Sequence, residues 1–337
     1  MVSKSDYNLL QSIVDVVGFL LLSIAIIVQS IVKSCLPNSY KNLKNLKGQN
    51  VLITGGGGGL GRLLASRLAR HGAVVILWDV NEEAVAESVK QVKAQGGVAH
   101  GFKCDLANNE DVYRVAEITK KQFGDVDILI NNAGVLSGKL LLDTPDHLIK
   151  RTFDVNIIAH FWTVKAFLPA MIAKNRGHIV TIASMAGHVG ISKLVDYCSS
   201  KYAAVGFDEA LRVELEDQGI MGVKTTAICP YFIKSTGMFG TVNSRFLSTL
   251  ELSDVADRVI DAIQKEEESV MIPGAMNIGM LLKPMVPWQV VSMFLRGLVP
   301  DAVPSHTSVG DTRKLSTKLN NNIINSCTDY KTEMKCD

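Results

Sequence analysis

Tyr197-Cys198-Ser199-Ser200-Lys201 sets a phenol and a primary amine four residues apart, on one face of any helix that carries them. A free phenol ionises near pH ~10 and is a poor base at neutrality, but a neighbouring cation lowers that value toward working pH. The pair therefore suits proton transfer to or from a substrate oxygen. Such pairs also arise by chance on many helices, so the reading depends on what surrounds them. Ser184 ends the run His178–Ser184, thirteen residues before Tyr197. Asn156 lies in an earlier long helical stretch, and Asn131-Asn132-Ala133-Gly134 closes another apolar run.

A second chemical feature is the loop Thr54-Gly55-Gly56-Gly57-Gly58-Gly59-Leu60-Gly61. Glycines let a backbone turn tightly and approach a pyrophosphate, and a helix N-terminus offers free N–H groups with partial positive charge. A glycine run alone could be a flexible linker. Here it joins the apolar run Val51–Thr54 to the helical pattern Leu60–Arg70, which favours a dinucleotide loop. Asp79 ends the next apolar run about 20 residues on, where a carboxylate can take both adenosine ribose hydroxyls. A 2′-phosphate would meet that carboxylate, and Val80 offers no compensating charge, so NAD is expected rather than NADP. Arg62 is near the loop but reads as a helix-surface residue.

The elements that must position these groups alternate along the chain. Strands are expected at Val51–Thr54, Val74–Trp78, Val98–Lys103, Ile128–Ile130, His178–Ile182, Lys224–Ile228 and Ser269–Ile272. Between them lie helical patterns, one of which Asn81 can cap, with Glu82 and Glu83 in its first turn. Thr144-Pro145 reads as a cap followed by proline at the first helical position, opening a long helix toward Lys174. A further helix is expected over about 196–218. Strands buried on both faces and separated by helices imply one α/β domain of Rossmann type: a doubly wound parallel sheet of about seven strands, with ligands at the strands' carboxyl ends.

Charge excludes some functions. The 35 Lys and Arg against 33 Asp and Glu leave a net +2, with no concentrated basic face, so no nucleic-acid partner is expected. The six cysteines (Cys35, Cys104, Cys198, Cys229, Cys327, Cys336) lack paired or ligand-like spacing, as do His160 and His188; reduced thiols and no metal are expected. No Asn-x-Ser/Thr acceptor occurs, in keeping with a domain outside the secretory lumen.

The positive mean hydropathy, +0.20, has its source at the two ends of the domain. Val16–Val32 is nearly uninterrupted apolar sequence, and as a helix its 17 residues reach roughly 25 Å, at the short end of a bilayer span. Asp6 and Asp15 offset Lys4, and no small-x-small cleavage site follows, so an uncleaved anchor is favoured over a signal peptide. Lys33, Lys41, Lys44 and Lys47 would keep the following chain in the cytoplasm. Whether the segment spans or lies as a shallow hairpin stays open. The expected organisation is an anchor at 1–35, a linker at 36–48, the catalytic domain at 49–275, an apolar lid or membrane-interface segment at 276–300 and a polar, disordered tail at 301–337.

Taken together, the glycine loop, the Asn-Asn-Ala-Gly segment, Asn156, Ser184, Tyr197 and Lys201 resemble the short-chain dehydrogenase/reductase superfamily over about residues 48–275. The anchor, Leu77–Asp79, Lys165–Met171 and Asp196–Phe207 are similar to its membrane-bound branch of epidermal retinol dehydrogenases and lipid-droplet 17-beta-hydroxysteroid dehydrogenases. The resemblance implies NAD-dependent oxidation of a retinoid, steroid or related lipid alcohol at an endoplasmic reticulum or lipid-droplet surface, by a homodimer. An NADP-linked carbonyl reductase and a non-catalytic lipid-droplet protein are the alternatives.

The resemblance also implies roles. Tyr197 transfers the proton, Ser184 holds the substrate oxygen, Lys201 holds the nicotinamide ribose, and Asn156 positions a water. Thr54, Gly55, Gly59, Leu60, Gly61 and Asp79 take the rest of the cofactor with Asp105, Leu106, Asn132, Ala133, Gly134 and Pro230. One departure is Pro230-Tyr231, where the family usually has Pro-Gly; Tyr231 and Phe232 either shape an apolar substrate mouth or pack the core.

Overall fold

The computed structural model describes residues 4–35, 43–234, 238 and 247–298. The chain divides into two compact units, Met1–Asn45 and Leu46–Asp337. In the first, the described residues 4–35 form a continuous helix, α1 (Lys4–Cys35), which contains the apolar stretch Gln11–Gln29.

The second unit is built on a seven-stranded parallel sheet in the order β3-β2-β1-β4-β5-β6-β7. Its first half runs β1 (Asn50–Thr54), α2 (Gly59–Arg70), β2 (Val74–Asp79), α3 (Glu82–Ala94), β3 (Val98–Lys103), α4 (Asn109–Phe123) and β4 (Ile128–Asn131). There follow α5 (Asp146–Phe153), α6 (Ala159–Ala173), β5 (Gly177–Ile182), α7 (Val195–Asp217), β6 (Val223–Pro230), α8 (Leu252–Lys265) and β7 (Ser269–Ile272). Two further helices, α9 (Met276–Leu282) and α10 (Trp288–Leu298), follow the sheet.

Each strand feeds two cores because its side chains alternate between faces. Val51 and Ile53 of β1 join Leu64 and Leu68 of α2 and Val259 and Ile263 of α8 on one side. Leu52 joins Trp78, Leu129, Val115 of α4 and Phe167 of α6 on the other. Full burial of each such side chain contributes roughly 1.5–3 kcal/mol. Asn81 caps α3, its side chain accepting from Ala84 N, as expected.

The entry to the long helix differs from expectation. Thr144 does not cap it: its hydroxyl donates to Leu140 O at 2.8 Å, and Pro145 itself occupies the cap position ahead of Asp146. Nor is the helix continuous toward Lys174, because a π turn over Asp154–Ile158 separates α5 from α6. The extra residue in that turn matters for the site, since Asn156 sits within it. The expected tail, 301–337, and most of the linker lie outside the described residues.

Candidate active site

Chain order changes direction between β1 and β4, and there the carboxyl ends of the strands open a crevice. Thr54 ends β1, Asp79 ends β2, Asn131 ends β4, Ser184 follows β5 and Pro230 ends β6. Gly55, Asp79, Asn132, Ser184 and Pro230, at or just past these ends, border a cavity of about 1400 Å³ together with residues of α7, α9 and α10.

The glycine loop forms one wall. Gly55 has φ +65°, a left-handed conformation that glycine adopts without steric cost. At Gly61 any β-carbon would collide with Gly55 O, so the loop folds tightly onto the start of α2. That helix has no side-chain cap and no acidic residue in its first turn, and Gly58, Gly59, Leu60 and Gly61 line the cavity. Its N–H groups and partial positive charge are thus available to an anionic group, which fits a pyrophosphate.

Thr54 clamps this loop to the end of β4, its hydroxyl accepting from Asn132 N at 3.0 Å and Ala133 N at 3.1 Å. The Asn132 side chain donates back to Thr54 O at 2.8 Å, so its amide serves the loop. Asp79 also braces the loop, accepting from Gly57 N and Asn81 N, both at 2.9 Å, while it faces the cavity. Asp105 and Leu106 line the same end, with Cys104 N donating to Asp79 O. Arg62 departs from the surface role expected of it: its guanidinium donates to Gly57 O and to Ser88 Oγ, both at 3.2 Å.

At the opposite end Ser184, Tyr197 and Lys201 converge. Ser184 caps a short 3₁₀ turn, its Oγ accepting from Ala186 N at 3.1 Å and lying 3.4 Å from Pro230 O. Tyr197 and Lys201 are both buried on α7, with Lys201 Nζ 5.7 Å from the phenol ring centroid and donating to Ile182 O at 2.8 Å. Burial acts oppositely on the two. It pushes the phenol up to about 12, outweighing a hydrogen bond with Ser184, and pushes the amine down to about 8. The protein's own groups therefore do not bring the phenol to neutrality, contrary to what the Tyr–Lys spacing alone suggests.

Asn156 is fully engaged. Its Oδ1 accepts from Val135 N at 2.8 Å, and its Nδ2 donates to Val135 O and Ser200 Oγ, both at 2.9 Å. It holds the chain after Gly134 against α7. Ser200, which sequence reasoning passed over, completes this link by donating to Tyr197 O at 2.7 Å. Its position directly before Lys201 was the available signal. Tyr231 and Phe232 satisfy both readings at once: they pack edge-to-face at 5.0 Å within a buried cluster and also line the cavity.

His160 is buried and pushed down to about 3 by burial, and the His188 ring contacts Cys229 Sγ at 3.4 Å. Among the described residues no group of three or more His, Cys, Asp or Glu side chains gathers as a metal site.

A family model described as short chain dehydrogenase matches residues 49–246. Human epidermal retinol dehydrogenase 2 is 45% identical over 282 residues, covering 82% of this chain and 90% of that protein. Human estradiol 17-beta-dehydrogenase 11 is 42% identical over 284 residues, covering 84% and 93%. A short-chain dehydrogenase/reductase from Burkholderia phymatum, solved with NAD, superposes with TM-score 0.64 at 27% identity over 71% of this chain and 94% of its own. A metagenomic short-chain oxidoreductase solved with NADP gives 0.57 at 28% identity, over 68% and 96%.

The buried amine carries a stability signature. Between pH 8 and 10.5 the unfolded chain holds a proton at Lys201 that the folded chain has lost, so raising pH stabilises the native state. Lys201→Met removes the buried charge, and the variant should be at least as stable as wild type at pH 7. Urea unfolding should then show wild type gaining on the variant between pH 7 and about 9.5. A stability difference between the two that stays constant over that range would contradict the buried-amine account.

Proposed function

The chain belongs to the short-chain dehydrogenase family, in the branch of the epidermal retinol and estradiol 17-beta-dehydrogenases, and from that premise we propose that it oxidises a lipid alcohol with NAD as hydride acceptor. The observation that carries the proposal is the cluster of half-buried Ser184 with buried Tyr197 and Lys201, facing a large cavity beside a pyrophosphate-compatible loop. A non-catalytic scaffold has no need of that combination.

The residues divide the cofactor between them. Gly55, Gly59, Leu60 and Gly61 hold the pyrophosphate, with Thr54 keeping the loop in place. Asp79 takes the adenosine ribose, and Asp105 and Leu106 the adenine. Asn132, Ala133, Gly134, Pro230 and Lys201 hold the nicotinamide half. When bound, the nicotinamide supplies the hydride acceptor and a positive charge that draws the Tyr197 phenol down from about 12.

Tyr197, as phenolate, takes the proton of the substrate hydroxyl while hydride leaves the same carbon. Ser184 donates to the substrate oxygen and stabilises its developing charge. Lys201 keeps the phenolate favourable and returns the proton toward solvent. The Asn156 amide is spent on Val135 and Ser200, so its part in the site is to hold the chain after Gly134 against α7.

Asp79 supports NAD, since a 2′-phosphate would sit against a carboxylate. Arg62, bound to the loop at Gly57 O, brings a positive charge near it and favours the NADP-linked reductase instead.

The apolar stretch Gln11–Gln29, 19 residues long, supports an uncleaved anchor, its roughly 28 Å helical length matching a bilayer core. The catalytic unit then works at the cytoplasmic face of the endoplasmic reticulum or a lipid droplet. The segment 276–300 is a lid that turns an apolar face to lipid, with Leu281, Met285 and Trp288 exposed. A homodimer would use the outer faces of α6 and α7, where Phe161 and Val213 are exposed.

Membrane-embedded protein should oxidise retinol or a hydroxysteroid with NAD far better than with NADP, and Tyr197→Phe should lose about 10²–10⁴-fold in kcat/KM. Equal turnover by the variant defeats the mechanism, and an NADP preference defeats the reading of Asp79. Carbonate washing should leave the full-length chain in the membrane pellet; release into the supernatant would contradict the anchor.

A further inference from the structure

One wall of the cavity comes from the segment spanning α9 and α10, through Met276, Met280, Leu282, Val286, Val291 and Leu295. Its start is fixed by packing, with Met276 buried among Cys229, Tyr231 and Phe232. Beyond it Met280 packs partly against the same cluster, but Leu281 is 73% exposed, Met285 76% and Met293 70%. Apolar contacts this open leave a helix pair free to shift.

One side chain ties the segment down. Lys283, in the 3₁₀ turn between α9 and α10, donates through Nζ to His188 O and, at 3.0 Å, to the Tyr202 hydroxyl. Nζ is 5.7 Å from the Tyr202 ring centroid, a separation reached only if the hydroxyl oxygen stands between ring and ammonium. The contact is therefore a hydrogen bond along the C–O axis and not a cation over the ring face. Hydrogen bonds from a charged donor are the stronger kind.

Both partners belong to the elements that carry the reacting groups. His188 directly follows the turn Met185–Gly187 that Ser184 caps, and its ring rests against Cys229, the neighbour of Pro230. Tyr202 is the residue after Lys201 on α7. We propose that Lys283 is a positioning residue, a latch that locks the apolar substrate wall to the Ser184 loop and to α7 and so sets the preference for bulky lipophilic alcohols. This rests on the substrate reading above. The hydrogen bonds of Lys283 go to His188 and Tyr202, beside the reacting groups and not on the glycine loop, Asp79 or Asp105.

The test uses full-length, membrane-embedded protein carrying Lys283→Met, Lys283→Arg or Tyr202→Phe. Lys283→Met should raise KM for retinol about tenfold, with kcat changed less than about twofold and KM for NAD unchanged. Lys283→Arg should restore the wild-type KM, and the milder Tyr202→Phe should raise it about threefold. Independently of activity, trypsin should cut at the exposed Arg296 at least about fivefold faster in Lys283→Met than in wild type. Unchanged KM with unchanged cleavage overturns the latch, as does an equal rise in KM for NAD. If wild type oxidises no lipid alcohol, the substrate reading fails by itself, and the cleavage rates still decide the latch.

Discussion

The site depends on keeping one ammonium group in a place with almost no water. Lys201 is 3% exposed, and a hydrogen bond to Ile182 O is its fixed partner in the protein. Burying an amine costs several kcal/mol unless its hydrogen bonds are met, so α7 must lie where the end of β5 can receive it. That demand orders the neighbourhood. The sheet puts β5 between β4 and β6, which brings the Asn-Asn-Ala-Gly segment and Pro230 to either side of the amine. Ser200 and Asn156 then tie α7 to the chain after β4, and Thr54 and Asn132 tie that chain to the glycine loop. The two ends of the cavity are thus linked by hydrogen bonds running across the ends of the strands.

The same burial sets the electrostatic state of the resting site. A phenol pushed up to about 12 beside an amine pushed down to about 8 holds its proton, and little base is present near neutrality. The positive charge that shifts this balance has to arrive with the oxidised cofactor. Proton transfer is therefore coupled to cofactor binding: the site becomes basic when the hydride acceptor is in place.

Much of this was legible in the sequence, and the reasons are local. The seven strands are short, mostly apolar runs bounded by glycines or polar caps, and all seven match expectation to within two residues at either end. The glycine loop, Asp79, Ser184, Tyr197 and Lys201 were legible because each falls at a strand end or on one helical face. The π turn was not, since a single inserted residue leaves the apolar pattern of a long helix almost unchanged. Arg62 was misjudged because its partner is a carbonyl on the preceding loop, which side-chain patterning does not reveal. Lys283 was beyond reach: its partners are 95 and 81 residues away in the chain, and only the folded sheet brings them together.

Tyr197 becomes a base through the bound oxidised cofactor. The direct measurement is the titration of the Tyr197 ring carbon bearing the hydroxyl, by ¹³C NMR of tyrosine-labelled full-length protein in detergent, assigned by its loss in Tyr197→Phe. Without cofactor the signal should stay protonated until near pH 12, and with saturating NAD⁺ its midpoint should fall by more than about two units. A midpoint that does not move on NAD⁺ binding, or one already near neutrality without it, would contradict the account.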